Sequence, residues 1–438
     1  MRLTVSEICA AVGGKLLCGS GEGEVTHFIT DSREAGPGAM FVAIRGEKVD
    51  GHTYIPSVFE KGAAAVFADH EIPPQAGPVV QVEDCCSAMQ QAAAYYRSRF
   101  DIPIVGVTGS VGKTTAKEMV AQALAARFAV HNTDSNKNGQ VGVPITVYGL
   151  EGRHTAAVVE MGVSMPGEMA RIAAVARPTC AVMTNIGVSH IEFLKSQENI
   201  LQEKAHIADY IPYGGVLFVN GDDSLLASLE DSAACRVVTF GLGEGCYWQA
   251  QELREENGGT RFTCRPPLGE GVEVFVPAAG VHNVRNALAA MAVAGHLGVP
   301  QGEAAGAIAA YQPPAMRQQV LDAGGVTLID DSYNASPDSM RSALDVLCGR
   351  PCTGQRVAVL AGMLELGGVS RQEHEAVGRY AREKGIHRLV AVGDLAKDIA
   401  AGFGEGSAWF ASNGEASSFL CGSLGPGDAV LVKGSRGM

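Results

Sequence analysis

The segment Gly106-Val-Thr-Gly109-Ser-Val-Gly112-Lys113-Thr114-Thr115 decides the fold of the middle of the chain. It follows the apolar stretch Ile102–Val107 and runs into a helical pattern over Thr115–Arg127, so a strand, a glycine-rich turn and a helix occur in order. Glycines allow backbone N–H groups to turn toward phosphate oxygens, and the N-terminus of a helix adds partial positive charge. Lys113 can reach the β- and γ-phosphates of a nucleotide, and the Thr114 hydroxyl suits Mg²⁺. The segment therefore predicts a loop that binds the phosphates of ATP.

The glycines of this loop do not have the spacing of the general GxxxxGK[ST] pattern, because the position five before Gly112 is Val107. They lie three residues apart instead. The alternative is a strand-to-helix turn that is merely rich in glycine, but the Gly-Lys-Thr-Thr run after an apolar strand favours the phosphate loop. The predicted nucleotide contacts within the loop are Thr108, Gly109, Ser110, Val111, Gly112, Lys113, Thr114 and Thr115.

Two further apolar stretches, Thr155–Glu160 and Thr179–Asn185, follow the phosphate loop and are separated by helical segments. Continuous apolar strands that alternate with helices indicate a parallel sheet covered on both faces. Farther along, residues 236–276 predict antiparallel hairpins with a turn at Asn257-Gly-Gly. A helix is predicted over Asn283–Leu297. We assign residues 99–312 to a central ATP-binding domain with a sheet like that of phosphate-loop ATPases.

The regions on either side predict two more domains. Residues 1–98 alternate short apolar strands with glycine-rich turns and end in the helical stretch Asp84–Arg99. Residues 313–438 contain four apolar strands with helices between them, which predicts a doubly wound, Rossmann-like sheet. Pro313-Pro314 is the expected hinge before this last domain. The predicted fold is therefore α/β with three domains, at 1–98, 99–312 and 313–438.

The bulk composition excludes several classes of protein. The 438 residues are 46% hydrophobic and 18% charged, as in ordinary globular proteins. A net charge of −13 without a basic block argues against nucleic acid or an anionic membrane surface as the main partner. No apolar run reaches the ~18 residues of a membrane helix, and the N-terminus lacks the apolar core of a signal peptide. Eleven cysteines without a CxxC pair indicate reduced thiols and a cytoplasmic location.

Polar residues follow the apolar strands at one edge of the predicted central sheet. Glu160 ends one strand, Asn185 ends the next, and His190 lies five residues beyond. Ligands bind at the carboxyl ends of strands in open parallel sheets, and a carboxylate there suits Mg²⁺. His190 is a less expected ligand because imidazole prefers softer metals, so loop packing or helix capping is its alternative. Lys204 lies in a helical stretch, where a solvated surface lysine is the simpler interpretation.

The segment Asp330-Asp331-Ser-Tyr333-Asn334 leaves an apolar strand of the third domain. It enters a helix at Ser336-Pro337, a good N-cap followed by a good first helical residue. Two acids, a tyrosine and an asparagine at a strand end suit the ribose or a phosphate of a bound nucleotide. On the residues alone, a capping turn with surface acids is an equal alternative.

Taken together, these stretches resemble those of the Mur ligases, the ATP-dependent amide-forming enzymes of peptidoglycan precursor synthesis. The resemblance covers essentially the whole chain. Its motifs are Asp31-Ser-Arg33, Phe41–His52 with the loop Gly46–His52, Thr108–Thr115, Asn136-Lys-Asn138, Gly142-Val-Pro144, Glu160-Met-Gly, His190, Asp330–Asn334, Met363-Leu-Glu-Leu-Gly367 and Lys433-Gly-Ser-Arg436.

The resemblance implies roles that the residues alone leave open. It implies that Glu160 and His190 both hold Mg²⁺ beside Thr114. It implies that Lys204 is carbamylated, which turns an ammonium group into a carboxylate that can bind metal. With Lys113, these residues form the implied catalytic group. Implied nucleotide contacts across the domain interface are Asn286, Arg317, Asp331, Tyr333 and Asn334. Implied contacts to the UDP end of the substrate are Ser32, Arg33, Gly46, Asp50, His52 and Asn138.

The activity that the resemblance implies joins UDP-N-acetylmuramoyl-tripeptide to D-alanyl-D-alanine, with ATP and Mg²⁺, through an acyl phosphate, in a monomer. The Asp330–Asn334 and Met363–Gly367 motifs favour this activity over sister ligases that add one amino acid. A folylpolyglutamate synthase begins near its phosphate loop, so the long stretch before Ile102 speaks against it. The alternative of a different class is a nucleotide switch, whose ATP cycle moves a partner protein and needs no acceptor amine.

Overall fold

The computed structural model describes residues 1–46, 49–73, 75–256 and 258–438, and three α/β units follow one another along them. Each unit contains one larger sheet flanked by helices, which confirms the predicted α/β class and its three-part organisation. Two residues of the Gly46–His52 loop, at 47 and 48, and Asn257 of the predicted turn lie outside the described residues. The domain limits at 98/99 and 312/313 fall between the sheets and stay predictions.

The first domain holds a five-stranded sheet and a separate two-stranded one. Its strands are β1 (Leu3–Thr4), β2 (Lys15–Cys18), β3 (Glu24–Val25), β4 (His27–Ile29), β5 (Ala39–Val42), β6 (Ala65–Ala68) and β7 (Val79–Gln81), and its helices are α1 (Val5–Ala11), α2 (Ile55–Glu60) and α3 (Cys85–Arg97). The five-stranded order is β2-β7-β6-β5-β4, in which only β2 runs antiparallel to its neighbour.

Helix α3 ties the first domain to the second. It begins at Asp84, whose carboxylate accepts a hydrogen bond from the Ser87 N–H at 2.6 Å and so caps the helix. Farther along, the Tyr96 hydroxyl donates to the Leu150 carbonyl at 2.7 Å. Apolar side chains of both domains form one continuous buried cluster around these contacts. The two domains are therefore packed as one body.

The second domain is built on a nine-stranded sheet. Its strands are β8 (Ile104–Thr108), β9 (Val130–Asn132), β10 (Ala156–Glu160), β11 (Cys180–Met183), β12 (Val216–Asn220), β13 (Arg236–Gly241), β14 (Trp248–Glu256), β15 (Gly259–Arg265) and β16 (Val272–Val276). Its helices are α4 (Lys113–Leu124), α5 (Gly142–Tyr148), α6 (Glu168–Ala176), α7 (Ile191–Leu194), α8 (Gln197–Ala205), α9 (Ser224–Ala227), α10 (Val281–His296) and α11 (Gln301–Ile308).

The strand order of this sheet is β16-β15-β14-β13-β12-β11-β8-β10-β9. Strands β8 to β14 are parallel, whereas β15 and β16 are antiparallel to their neighbours. The prediction of antiparallel hairpins over residues 236–276 is therefore wrong for Arg236–Gly241, which extends the parallel part. The last four residues of this strand, β13, are all buried, as in a strand that is covered on both faces. Because β8 lies between β10 and β11, the ends of these three strands meet.

The third domain has a six-stranded sheet with the predicted doubly wound character. Its strands are β17 (Gln319–Ala323), β18 (Val326–Asp330), β19 (Arg356–Ala361), β20 (Arg388–Val392), β21 (Ser407–Phe410) and β22 (Ala429–Lys433), and its helices are α12 (Pro337–Gly349), α13 (Ser370–Glu383), α14 (Lys397–Phe403) and α15 (Asn413–Cys421). The order is β17-β18-β22-β19-β20-β21, parallel except for β17. Buried apolar clusters cover both faces. Across the described part of the chain, no helix combines the length and apolar character needed to span a bilayer.

Candidate active site

A cavity of about 600 Å³ lies between the second and third domains, at the carboxyl ends of the central strands. It brings together most of the residues predicted for nucleotide and metal. Those that line it are Ser110, Val111, Gly112, Lys113, Thr114, Thr115, Glu160, His190, Asn286, Arg317, Asp331, Tyr333 and Asn334. Thr108 and Gly109 stand directly before this lining, at the end of β8.

The phosphate loop is held by the neighbouring strand end. The Val111 N–H donates to the Asn185 side-chain oxygen at 2.8 Å, and the Thr184 hydroxyl donates to the Val111 carbonyl at 2.5 Å. Gly109 has φ +144°, and a Cβ there would lie 2.0 Å from Thr184 Oγ1. Gly112 has φ +83° and starts α4 directly. Only glycine fits both the conformation and the space at Gly109, so the loop and the end of β11 form one rigid cradle.

Lys113 lies at the first position of α4 with its ammonium group turned back over the loop. Its Nζ donates to the Gly109 carbonyl at 2.8 Å and to the Ser110 carbonyl at 3.2 Å. Burial lowers the pKa of Lys113, and the opposing charge of Glu160 limits that effect. A cation at this position can neutralise charge on a phosphate in the cavity.

Glu160 ends β10 and is 1% exposed. One carboxylate oxygen accepts a hydrogen bond from Asn138 Nδ2 at 2.7 Å. The other, Oε2, is buried and has no partner among the described residues. A buried carboxylate oxygen without a partner is costly, so this position suits a bound cation.

Lys204 lies in α8, near enough to Lys113 to feel its charge but outside the lining of the cavity. It is 1% exposed, so it is not the solvated surface lysine that its helix position favours. Its Nζ has no partner among the described residues. Burial, followed by the charge of Lys113, holds the pKa of Lys204 well below its ordinary value. This shift favours the neutral form of the amine.

His190 caps the N-terminus of α7 with a left-handed backbone, at φ 64°. Its Nδ1 pairs with the carboxylate of Glu365, which belongs to the loop after β19 in the third domain. The proximity of His190 lowers the pKa of Glu365. The residue that is predicted to bind metal is thus in contact with the opposite domain.

The third domain contributes the segment that follows β18. Lys433 Nζ donates to Asp331 Oδ2 at 2.6 Å and to the Asn334 carbonyl at 2.9 Å, and it is 4% exposed. The guanidinium group of Arg317 stacks over the Tyr333 ring, 4.1 Å from its centroid. These contacts hold two predicted nucleotide residues, Asp331 and Tyr333, in fixed positions at the cavity wall.

Helix α10 supplies a polar group that the sequence interpretation did not include. His282 and Asn283 line the cavity beside Asn286, and Asn283 Nδ2 donates to Gln318 Oε1 at 3.2 Å. His282 Nε2 also lies 3.2 Å from that oxygen. The spacing of polar residues in His282-Asn283-x-x-Asn286 puts them on one face at the start of a helix. This spacing was the sequence signal that could have identified them as part of the site. Lys433 and Glu365 were in quoted motifs, but no role was predicted for either.

The predicted UDP contacts do not reach this cavity, with one exception. Asp50 and His52 bond to each other in the first domain, with Oδ1 2.6 Å from Nδ1. Arg33 is exposed and paired with Asp31, and hydrogen bonds from Arg33 lower the pKa of that carboxyl to about 2. The remaining members of this group in the first domain are Ser32 and Gly46. Asn138 lies against Glu160 in the cavity instead, and its contact with UDP stays a prediction.

Comparison with known proteins adds an independent line of support. Three models of the Mur ligase family match the chain in order. The family's catalytic domain matches residues 24–97, the Mur ligase middle domain matches residues 107–294, and the glutamate ligase domain matches residues 316–436. The matched regions follow the three α/β units.

The similarity to individual relatives also extends over the whole chain. The chain is 34% identical to UDP-N-acetylmuramoyl-tripeptide--D-alanyl-D-alanine ligase of Bacillus subtilis (strain 168), over 100% of this chain and 96% of the relative. The structure of this chain is similar to that of MurF from Acinetobacter baumannii, with a TM-score of 0.93, 30% identity, and coverage of 100% of this chain and 96% of that one. It is also similar to the MurF ligase from Thermotoga maritima in complex with ADP, with a TM-score of 0.84, 26% identity and 94% coverage of both chains.

Proposed function

This chain belongs to the Mur ligase family, and we propose that it is an ATP-dependent amide ligase that joins D-alanyl-D-alanine to UDP-N-acetylmuramoyl-tripeptide. The product is the UDP-linked pentapeptide precursor of peptidoglycan. The activity named for the Bacillus subtilis relative supports the choice of substrates. The eleven free cysteines support a cytoplasmic location for the reaction.

One observation carries the proposal. A single cavity holds the phosphate loop on one side and the Asp331–Asn334 segment on the other, with the unpartnered Oε2 of Glu160 beside them. A nucleotide switch needs the loop and a cation site. The additional wall from a third domain suits an enzyme that assembles its site around two substrates and excludes water.

The proposed reaction has two steps. The terminal carboxylate of the UDP-linked tripeptide attacks the γ-phosphorus of ATP, ADP leaves, and an acyl phosphate forms. The primary amine of D-alanyl-D-alanine then attacks the acyl carbon and loses a proton, and inorganic phosphate leaves as the amide forms. Both steps are governed by positioning and by stabilisation of phosphoryl charge, which Lys113 provides from the loop.

The nucleotide would lie across the domain interface. In the proposed arrangement Asn286 approaches it from α10, which packs directly behind Gly112. Arg317, Asp331, Tyr333 and Asn334 approach it from the third domain. The Lys433 ammonium group keeps Asp331 in place, so the part of the cavity wall that the third domain supplies is already formed without a nucleotide.

The residues around Glu160 fit a divalent cation. Its buried, unpartnered Oε2 has the hard oxygen character that Mg²⁺ prefers. We propose that Thr114, Glu160 and His190 hold Mg²⁺, together with Lys204 once it is carbamylated. When bound, the metal supplies charge neutralisation to the phosphate oxygens.

Carbamylation fits the environment of Lys204. A neutral amine adds to carbon dioxide and releases one proton as the carbamate forms, and the lowered pKa of Lys204 favours the neutral amine. The Nζ is enclosed and has no partner among the described residues, so nothing competes for it there. The carbamate would place a carboxylate near Lys113, whose positive charge stabilises it.

The proposal is tested by ADP release from purified protein with ATP and Mg²⁺. The UDP-linked tripeptide is offered with lysine or with meso-diaminopimelate as its third residue, with and without D-alanyl-D-alanine. ADP is expected to appear only with both substrates, together with a product mass equal to the tripeptide plus the dipeptide less one water. Turnover without an acceptor amine would favour the nucleotide switch. Turnover with a single amino acid in place of the dipeptide would favour a sister ligase.

A further inference from the structure

The loop Met363–Gly367 is not used by the proposed mechanism, although it crosses to the second domain. The Glu365 carboxylate pairs with Nδ1 of His190. The Glu192 N–H donates to the Glu365 carbonyl at 3.2 Å. Gly367 packs closely on the same residue, since a Cβ there would lie 3.2 Å from the Glu192 Cα. The loop therefore docks through its side chain and its backbone together.

The same loop is held firmly by its own domain. The Met363 N–H donates to Nε2 of His374 at 2.8 Å, and His374 is fully buried. The Leu364 N–H donates to the Ser435 hydroxyl oxygen at 3.1 Å. These two bonds involve the two residues that precede Glu365 in the chain, so they fix the backbone from which the Glu365 side chain extends.

The two residues that meet across the interface share an unusual backbone. His190 has φ 64° and Glu365 has φ 61°, both in the left-handed region, although neither is glycine. Non-glycine residues in this region are strained, and such strain persists where the surrounding structure fixes it, often at functional sites. Here each of the two residues extends its side chain toward the other domain.

We infer that Glu365 is a positioning residue that fixes the imidazole of His190 for metal binding, an inference that rests on the proposed metal site. A carboxylate offers only acceptor oxygens, so its contact with Nδ1 of His190 favours the proton on that nitrogen and leaves Nε2 with its lone pair. Metal-binding histidines commonly donate their other ring N–H to a carboxylate in this way. Because the two residues belong to different domains, the metal site is complete only when the domains are in contact.

The test measures metal binding directly, without turnover. Mn²⁺ replaces Mg²⁺, and its affinity is measured by electron paramagnetic resonance in the presence of ADP. Glu365→Ala is expected to weaken Mn²⁺ binding at least about tenfold, the usual cost of losing such a partner. Glu365→Gln keeps an acceptor oxygen but loses the charge, so it is expected to fall between. Glu383→Ala removes an exposed glutamate of the same domain and is the matched control.

A second arm separates positioning from simple packing. In a His190→Ala background, Glu365→Ala is expected to add no further loss of Mn²⁺ affinity, because its partner is gone. In the ligase assay, kcat is expected to fall at least about tenfold in Glu365→Ala while KM for D-alanyl-D-alanine holds. Equal Mn²⁺ affinity in Glu365→Ala and in the parent would overturn the inference, and so would additive losses in the double variant. If the parent binds no Mn²⁺ with ADP, or His190→Ala binds as well as the parent, the proposed metal site itself fails.

Discussion

Lys433 and Asp331 form a buried ion pair in the third domain, with Nζ 2.6 Å from Oδ2. Their side chains are only 3% and 13% exposed. The same domain contains a second pair, Lys384 with Asp345, at the same separation of 2.6 Å but with side chains 41% and 46% exposed. The two pairs have the same separation but differ in burial, and the buried Lys433 also donates to the Asn334 carbonyl.

Removing the buried cation is expected to be far more damaging than removing the exposed one. Lys433→Met leaves the Asp331 carboxylate buried without a partner and is expected to lower the free energy of unfolding by about 3–5 kcal/mol. Lys384→Met is expected to change it by about 1 kcal/mol or less. The measurement is urea unfolding followed by Trp409 fluorescence, in a Trp248→Phe background so that the signal reports on the third domain. Equal destabilisation by the two variants would contradict the argument.

A Cβ at Gly109 is expected to disable the phosphate loop. It would lie 2.0 Å from Thr184 Oγ1 and 3.1 Å from the Thr184 backbone nitrogen, which directly follows β11 and is held by its hydrogen bond to the Thr108 carbonyl. We expect Gly109→Ala to lower kcat/KM for ATP about 100-fold, the cost of displacing a catalytic group by roughly 1 Å. Calorimetry of ADP binding checks the same loss without turnover.

Gly302→Ala is the matched control for this glycine. Gly302 lies in α11, where an added Cβ meets no heavy atom within 4 Å. The replacement is expected to leave ADP binding unchanged, because the added Cβ has no neighbour to displace. If Gly109→Ala binds ADP as well as Gly302→Ala does, the loop is not the rigid cradle described above.

Most of the fold could be predicted because its strands are apolar runs bounded by turn residues. β8 and β10 were identified within two residues at each end, since their burial leaves a local pattern in the sequence. β17 was missed because all five of its residues are exposed. Arg236–Gly241 was given the wrong partner, since strand pairing depends on which neighbour is available in space.

The site could be predicted where its chemistry is local in sequence. The phosphate loop and Glu160 follow strands directly, so their place at the sheet edge follows from the strands themselves. Lys433 and Asp331 are 102 positions apart, and neither segment contains a sequence signal that predicts its pairing with the other. The burial of Lys204 could not be predicted for a related reason. A position in a helix does not tell which face of the helix is buried, because that depends on how the domain packs.

Carbamylation of Lys204 is expected to be visible in the resting protein. With ¹³C-labelled bicarbonate, one carbamate carbon resonance is expected in the parent and none in Lys204→Gln, because the neutral, buried amine is the reactive one. Lys15→Gln removes an exposed lysine and is expected to keep the resonance. Loss of this metal ligand is expected to lower kcat by about 10- to 100-fold. A resonance that persists in Lys204→Gln, or none in the parent, would contradict the assignment.

Mild acid is expected to destabilise the protein before its carboxylates protonate. Five histidines have their pKa lowered, in each case chiefly by burial: His131, His154, His282, His296 and His374. In the unfolded chain these side chains take up protons near pH ~6.5, whereas in the folded chain they do so only at lower pH. The unfolded state therefore binds more protons as the pH falls below ~6.5, and stability falls with it.

Calorimetric Tm values between about pH 7.5 and pH 5.5 test this, since that window lies around the ordinary histidine pKa and above that of the carboxyls. Tm is expected to decrease steadily across the window. His374→Gln keeps an acceptor for the Met363 N–H but cannot be protonated, so its decrease is expected to be shallower. His27→Gln replaces an exposed histidine and is the control. A Tm that is constant or rises on acidification would show that burial of these imidazoles does not govern the acid response, and an unchanged slope in His374→Gln would exclude that histidine from it.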